Sequence, residues 1–336
     1  MRLQAKQPER LQEISEWLRQ GQITGAEALR MAMRLRQRRA AAAAAKVDPA
    51  EPAPGAEARQ AAVRAIMAEL DGLIGLQSVK RHVREIQAYL EIQGRRLEQG
   101  LPSESTALHM VFTGNPGTGK TTVARILGRL FKAMGILPKG HMVEVERADL
   151  VGEYIGHTAQ RTREVINRAL GGVLFVDEAY SLARGGEKDF GKESIDCLVR
   201  ALEEHRRELM VILAGYPAEM EWFLSTNPGL RSRFPTIISF PDYTAEELFA
   251  IAESMWQVRQ YELSPDARAF LRSALRAPEW LAGEEGNARA LRNLVERSLR
   301  CQALRLVGLA NPTKGELMTI VRADLQRAVS ERWSGI

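Results

Sequence analysis

The octapeptide Gly114-Asn115-Pro116-Gly117-Thr118-Gly119-Lys120-Thr121 constrains this chain more than any other stretch, because few backbone paths and few ligands suit it. It satisfies the pattern G-x-x-x-x-G-K-[ST] at every position. The apolar run Leu108-His109-Met110-Val111-Phe112 before it reads as a buried strand, and Thr122-Val123-Ala124-Arg125-Ile126-Leu127 after it reads as a helix. In that setting the glycines let backbone N–H groups close around an anionic phosphate chain, and the helix adds the positive end of its dipole. Asn115, Pro116, Gly117, Thr118 and Gly119 are then the cradle, with Thr122 beside it. Lys120 is expected to reach the β- and γ-phosphates of ATP, and Thr121 to hold Mg²⁺ through its hydroxyl. The competing reading, a chance glycine-rich turn, leaves both flanking elements unexplained.

A second apolar strand, Val173-Leu174-Phe175-Val176, ends in Asp177-Glu178. Taken alone, a strand-end acid pair is as well read as a helix cap. Downstream of a full phosphate loop, Asp177 completes the Mg²⁺ coordination and Glu178 polarises a water toward the γ-phosphate.

The chain falls into three parts. Residues 1–56 form a helical arm closed by the linker Val47-Asp48-Pro49-Ala50-Glu51-Pro52-Ala53-Pro54-Gly55. Residues 57–243 alternate strands with helices; the strands expected are Leu108–Thr113, His141–Glu146, Gly172–Asp177, Leu209–Gly215 and Thr236–Phe240. Apolar strands alternating with helices predict a parallel sheet covered on both faces, an α/β three-layer sandwich with its ligand at the carboxyl ends of the strands. Over 244–336 strand signals stop. Thr244-Ala245-Glu246-Glu247 reads as a capping box opening a helical lid.

Composition excludes several classes. With 45% hydrophobic and 26% charged residues the chain is globular, and no run is apolar for long enough to span a membrane. The N-terminus has no apolar core of signal-peptide length, so a cytoplasmic protein is expected. Two cysteines, Cys197 and Cys301, are expected as buried, reduced thiols. The net charge of +5 owes much to Arg34, Arg36, Arg38, Arg39 and Lys46 in the arm, a pattern more often a solvated helix face than a nucleic-acid site.

Other candidates stay open on residues alone. Arg231 and Arg233 suit either a surface loop or a finger offered to a neighbouring subunit's phosphate. Arg289, in Gly286-Asn287-Ala288-Arg289, suits either a helix ion pair or a lid contact to the same phosphates. Tyr154, bracketed by Gly152 and Gly156, suits an exposed tip better than a core. On residues alone, Asp189-Phe190-Gly191 reads as an ordinary surface loop.

Taken together, the segments Phe112–Arg125, Arg147–Gln160, Gly172–Leu182, Ala183–Glu193 and Ile212–Tyr216 resemble the AAA+ ATPases, and within them the CbxX/CfqX family. The resemblance runs from about Leu73 to the last helices and leaves the arm outside. It implies a P-loop NTPase fold, ATP at the interfaces of a homo-oligomeric ring, normally a hexamer, and a protein client. It makes Arg233 the finger acting in trans with Arg231 beside it, and Arg289 the lid's sensor. Tyr154, Ile155 and Gly156 become a pore loop, and Ile74 and Gly75 lie against the adenine. It suits Asp189-Phe190-Gly191 to a second contact with the central pore as well as to a surface loop. One position departs from the pattern: the fourth strand usually ends in a polar sensor, and here it reads Ala214-Gly215-Tyr216. The function expected is an ATP-hydrolysing ring motor that remodels a protein. The alternatives are a nucleic-acid motor or loader, supported only by the basic arm, and a nucleotide-timed scaffold.

Overall fold

The computed structural model describes residues 55–102, 107–152, 154, 156–185, 189–277 and 286–333, with Arg19, Thr24 and Met31. The expected arm and linker lie almost wholly outside the described residues. Contacts divide the chain into Met1–Ala58 and Arg59–Ile336, and the second unit carries the site.

Two helices, α1 (Ala56–Gly72) and α2 (Gln77–Glu98), lead into β1 (Met110–Gly114). There follow α3 (Lys120–Ala133), β2 (Met142–Val145), the single turn α4 (Arg147–Leu150), α5 (His157–Ala169) and β3 (Val173–Val176). A 3-10 turn (Ala179–Ala183), α6 (Gly191–Glu204), β4 (Met210–Gly215), α7 (Pro217–Thr226), α8 (Pro228–Arg233) and β5 (Thr236–Phe240) complete the α/β part. All five strands fall where the apolar runs place them. They form one parallel sheet in the order β2-β3-β4-β1-β5. β4 therefore lies between β1 and β3, and its carboxyl end sits between the phosphate loop and Asp177.

The strands are apolar throughout because both faces are covered. Met110 and Phe112 of β1, Phe175 of β3 and Ile212 of β4 join one buried cluster; Val111, Leu174 and Leu213 join another on the opposite face. Each such side chain contributes about 1.5–3 kcal/mol through burial. The first cluster continues into the helical lid through Leu248, Trp256, Leu291 and Val295, so sheet and lid share apolar packing. Trp256 is only 1% exposed, yet its indole N–H donates to Ser298 Oγ at 3.1 Å, which removes the penalty of burying an unpaired donor.

Among its described residues the lid holds α9 (Ala245–Val258), β6 (Glu262–Leu263), α10 (Pro265–Ala274), α11 (Asn287–Leu306), α12 (Lys314–Met318), β7 (Thr319–Ile320) and α13 (Arg322–Trp333). α9 opens on the expected capping box: Glu247 N donates to Thr244 Oγ1 at 3.3 Å, and Thr244 N donates to Glu247 Oε2 at 2.8 Å. The described part of the lid is mostly helical, as expected, with one short parallel pair, β6 and β7, that carries no strand signal in the sequence. Two-residue strands are too short to show a period of two; they form because Leu263 and Ile320 are buried side by side. Cys301 is buried as expected, but Cys197, within α6, is only half-buried. Among the described residues no helix is long and apolar enough to cross a membrane.

Candidate active site

Gly114 ends β1 and Lys120 starts α3, with Gly117 at φ +72° and Gly119 at φ +94° between them. These positive φ values favour glycine, and at Gly117 the space demands it as well. A Cβ there would stand 2.8 Å from both Arg289 N and Gly286 O of the lid. No side chain caps the N-terminus of α3, so its first amides are left for a ligand.

Lys120 Nζ donates to the carbonyls of Gly114 at 2.7 Å and Asn115 at 2.9 Å. Burial pushes its pKa below that of a free lysine, opposed by the negative charge of Asp177 and reinforced by the positive charge of Arg289. A half-buried ammonium held by neutral carbonyls, beside an uncapped helix start, is completed by an anion; the residues fit the phosphates of a nucleotide. Asp177 continues β3, its N–H donating to Val145 O at 2.9 Å, and its carboxylate accepts from Glu178 N at 3.0 Å. Glu178 holds a left-handed backbone, φ 46° and ψ 45°, which turns the chain sharply out of the strand.

A cavity of about 1330 Å³ joins these parts: Gly114 to Gly117, Gly119 to Thr122, Asp177, Glu178 and Arg289 all line it. Thr118 is fully buried beneath, its hydroxyl donating to Asn115 O at 2.8 Å. Among the described residues no group of three His, Cys, Asp or Glu is preassembled for a metal. One carboxylate with one hydroxyl, Asp177 with Thr121, nonetheless suits Mg²⁺, which keeps water and phosphate oxygens in most of its coordination positions.

The lid is fastened to the loop by bonds the sequence did not announce. Asn287, fully buried at φ 56°, donates from Nδ2 to Asp242 Oδ1 at 2.8 Å and accepts at Oδ1 from Tyr243 N at 3.0 Å. Asp242 in turn accepts from Asn115 Nδ2 at 3.0 and 2.9 Å. Ala288 N donates to Gly117 O at 3.2 Å, and Tyr243 Oη donates to Thr118 O at 3.2 Å. Burial raises the Tyr243 phenol to about 12, which keeps it a donor. In the sequence, Pro241-Asp242-Tyr243 marks only where the strand signals stop.

The remaining candidates lie apart. Ile74 and Gly75 do not line the cavity; Gly75 packs against Tyr243 and Glu247. Arg231 is exposed, and Arg233 donates to Gly229 O at 2.8 Å and pairs with Glu203; neither lines this chain's own cavity. Tyr154 is 66% exposed, its ring edge-on to His157 at 5.6 Å, and Gly156 is in the left-handed region at the start of α5. Ile155 lies outside the described residues. Asp189 is paired with Arg147 at 2.5 Å, a bond that holds its carboxyl below the usual range.

Two family models match the chain: the AAA model, "ATPase family associated with various cellular activities", over residues 110–242, and the AAA lid domain over 244–334. The chain is 51% identical to stage V sporulation protein K of Bacillus subtilis (strain 168) over 81% of its length and 85% of the relative's. It is 48% identical to protein CbbX of Cereibacter sphaeroides, over 72% of this chain and 79% of that one. It is 44% identical to a chloroplastic ribulose bisphosphate carboxylase/oxygenase activase of Cyanidioschyzon merolae, over 79% and 92%. Among solved structures, the FIGL-1 AAA domain aligns at TM-score 0.53 and 17% identity, covering 78% of this chain and 82% of that one, a likeness of fold alone.

Proposed function

This chain belongs to the AAA family of ATPases and hydrolyses ATP to ADP and phosphate, and from that premise we propose that it is a ring-forming motor, a hexamer, that remodels a protein client through a central pore. The observation that carries the reading is Tyr154, a large aromatic held 66% exposed between two glycines at the head of α5. We assign residues 1–56 to an adaptor arm, 57–243 to the motor and 244–336 to the lid.

In this reading Gly117, Thr118, Gly119 and Lys120 hold the phosphates, with Asn115, Pro116 and Thr122 around them. Thr121 and Asp177 hold Mg²⁺, which when bound supplies Lewis-acid polarisation of the phosphate oxygens. Glu178 accepts the proton of the attacking water as the bond between the β- and γ-phosphates breaks. Arg289 contacts the phosphates from the lid. Arg233, with Arg231 beside it, serves the neighbouring subunit, for which its place outside its own cavity leaves it available. Ile74 and Gly75 face the adenine, next to Leu76, whose Cδ1 would lie 3.5 Å from a Cβ at Gly119. The bonds from Asp242 and Asn287 to the loop would carry the change of nucleotide into a movement of the lid, and so of Tyr154, Ile155 and Gly156 against the client.

The named relatives include a sporulation protein and a Rubisco activase, so a shared motor does not fix the client. We assign a sporulation-associated client in the cytoplasm. Holding Glu178→Gln subunits in ATP and identifying the co-purifying polypeptide tests this; a Rubisco subunit in its place would redirect the assignment. Mixing Arg233→Ala with Glu178→Gln subunits, each inactive alone, should restore hydrolysis at mixed interfaces. No recovery would remove the trans finger.

A further inference from the structure

β4 lies between β1 and β3, so the wall at its carboxyl end faces the space between Lys120 and Glu178, where the terminal phosphate of ATP must sit. That wall carries no polar side chain from the strand itself: β4 ends in Ala214-Gly215. Gly215 explains why. A Cβ there would stand 2.8 Å from Cδ1 and Cε1 of Tyr180 and 2.8 Å from Met220 Sδ. The ring of Tyr180 fills the place that a side chain from the end of β4 would take. Tyr180 comes from the 3-10 turn directly after Glu178, so the acid-bearing strand itself delivers it.

The ring is fixed from several sides. It is 1% exposed, the Arg184 guanidinium lies over it at 4.4 Å, and Tyr216 packs at a tilt with centroids 6.1 Å apart. Despite that burial it lines the nucleotide cavity, together with Tyr216, Arg184 and Glu219. Glu178 lines the same cavity, and burial, together with the charge of Glu178, holds the phenol protonated. A neutral phenol fixed beside the acid that polarises water is a hydrogen-bond donor that needs no reorganisation when charge develops.

We propose that Tyr180 is a further catalytic residue of the ATPase, its hydroxyl donating to an oxygen of the terminal phosphate in place of a polar side chain from β4. The hydroxyl keeps its proton throughout; water is the nucleophile and Glu178 takes the water's proton. The assignment rests on the reading of Glu178 given above.

Tyr180→Phe removes the hydroxyl and leaves the ring that packs on Gly215 and Arg184. With the full chain, Mg²⁺ and ATP, kcat should fall on the order of tenfold, the worth of one such bond. KM, the Kd for ADP by calorimetry and the melting temperature should stay at wild-type values. Wild-type kcat would overturn the proposal, as would a loss in which ADP affinity or melting moves in parallel, the mark of a packing role. Tyr216→Phe, measured alongside, should lose less than Tyr180→Phe; a larger loss would move the role to Tyr216 and overturn the assignment. Glu178→Gln should bind ATP and not turn it over. Wild-type turnover there would bring down the reading of the acid pair, whatever the tyrosine variant did.

Discussion

Two loop–helix junctions in this molecule share one local grammar and differ in everything around it. At the phosphate loop, Gly119 at φ +94° opens α3; at the Tyr154 tip, Gly156 at φ +85° opens α5. Neither helix has a side-chain cap, and both bury one face, α3 through Val123, Ile126, Leu127 and Leu130, α5 through Thr162, Val165, Ile166 and Ala169. The phosphate loop is then covered: Thr118 is fully buried and bonded by Tyr243, and the lid reaches Asn115 through Asp242 and Gly117 through Ala288. The tip is tied at its base, where Gly152 N donates to Thr158 Oγ1 at 3.0 Å and His157 N donates to Tyr154 O at 3.2 Å, and the Tyr154 side chain stands out. Local sequence makes each junction; what packs on it decides whether it is covered or left exposed.

The same substitution at the two junctions should separate them most. At Gly117 an added Cβ strains the left-handed backbone and meets two lid backbone atoms at 2.8 Å. Gly117→Ala should cost about 3 kcal/mol in nucleotide binding, roughly a hundredfold in Kd for ADP. At Gly156 the Cβ would meet no described atom within 4 Å, so Gly156→Ala should cost only the backbone strain, about 1 kcal/mol of stability, and leave ADP affinity at its wild-type value. Equal effects at the two sites would break the comparison. Calorimetry and thermal melting read both.

The next effect concerns the cover itself. Asn287→Gly keeps the positive φ and deletes the bonds to Asp242 and Tyr243, so it should destabilise the chain by about 2 kcal/mol. Asn287→Asp keeps the shape and sets a carboxylate against Asp242, so it should cost more. Denaturant midpoints that rank the two the other way would show that the backbone at 287, and not its side chain, holds the lid.

The parts that were legible in the sequence are those written in consecutive residues. The five strands, the phosphate loop, the acids at 177 and 178 and the capping box at Thr244 each depend on neighbours within a few positions. The lid fastening does not. Asn115 and Asp242 are 127 residues apart and Asp242 and Asn287 are 45 apart, and no spacing rule links them. Asn287 stood in plain view as the residue before Ala288-Arg289, yet nothing local marks an asparagine that adopts φ 56° because a carboxylate and an amide from another segment bind it. Tyr180 is the same case at shorter range: the missing polar residue at the end of β4 could be noticed, but the ring that fills its place arrives from the turn after β3. The strand stubs β6 and β7 escape any periodic pattern because each has one inward residue.

The smallest effect on stability should come from the tip. Tyr154 touches His157 edge-on and is otherwise two-thirds exposed, so Tyr154→Ala removes little apolar area that folding had buried. Its melting midpoint should correspond to a change within about 0.5 kcal/mol, the usual range for an exposed site, and basal ATPase should change less than about twofold. Because the nucleotide cavity does not include this residue, a client-remodelling assay is the place where the loss should appear, and there it should be complete. A tip that unfolds the domain when truncated would belong to the core after all. A tip whose truncation spares remodelling would leave the comparison intact as structure and remove its functional half: Gly156 would then open an ordinary helix, and the exposed tyrosine would not be the part of the molecule that meets the client.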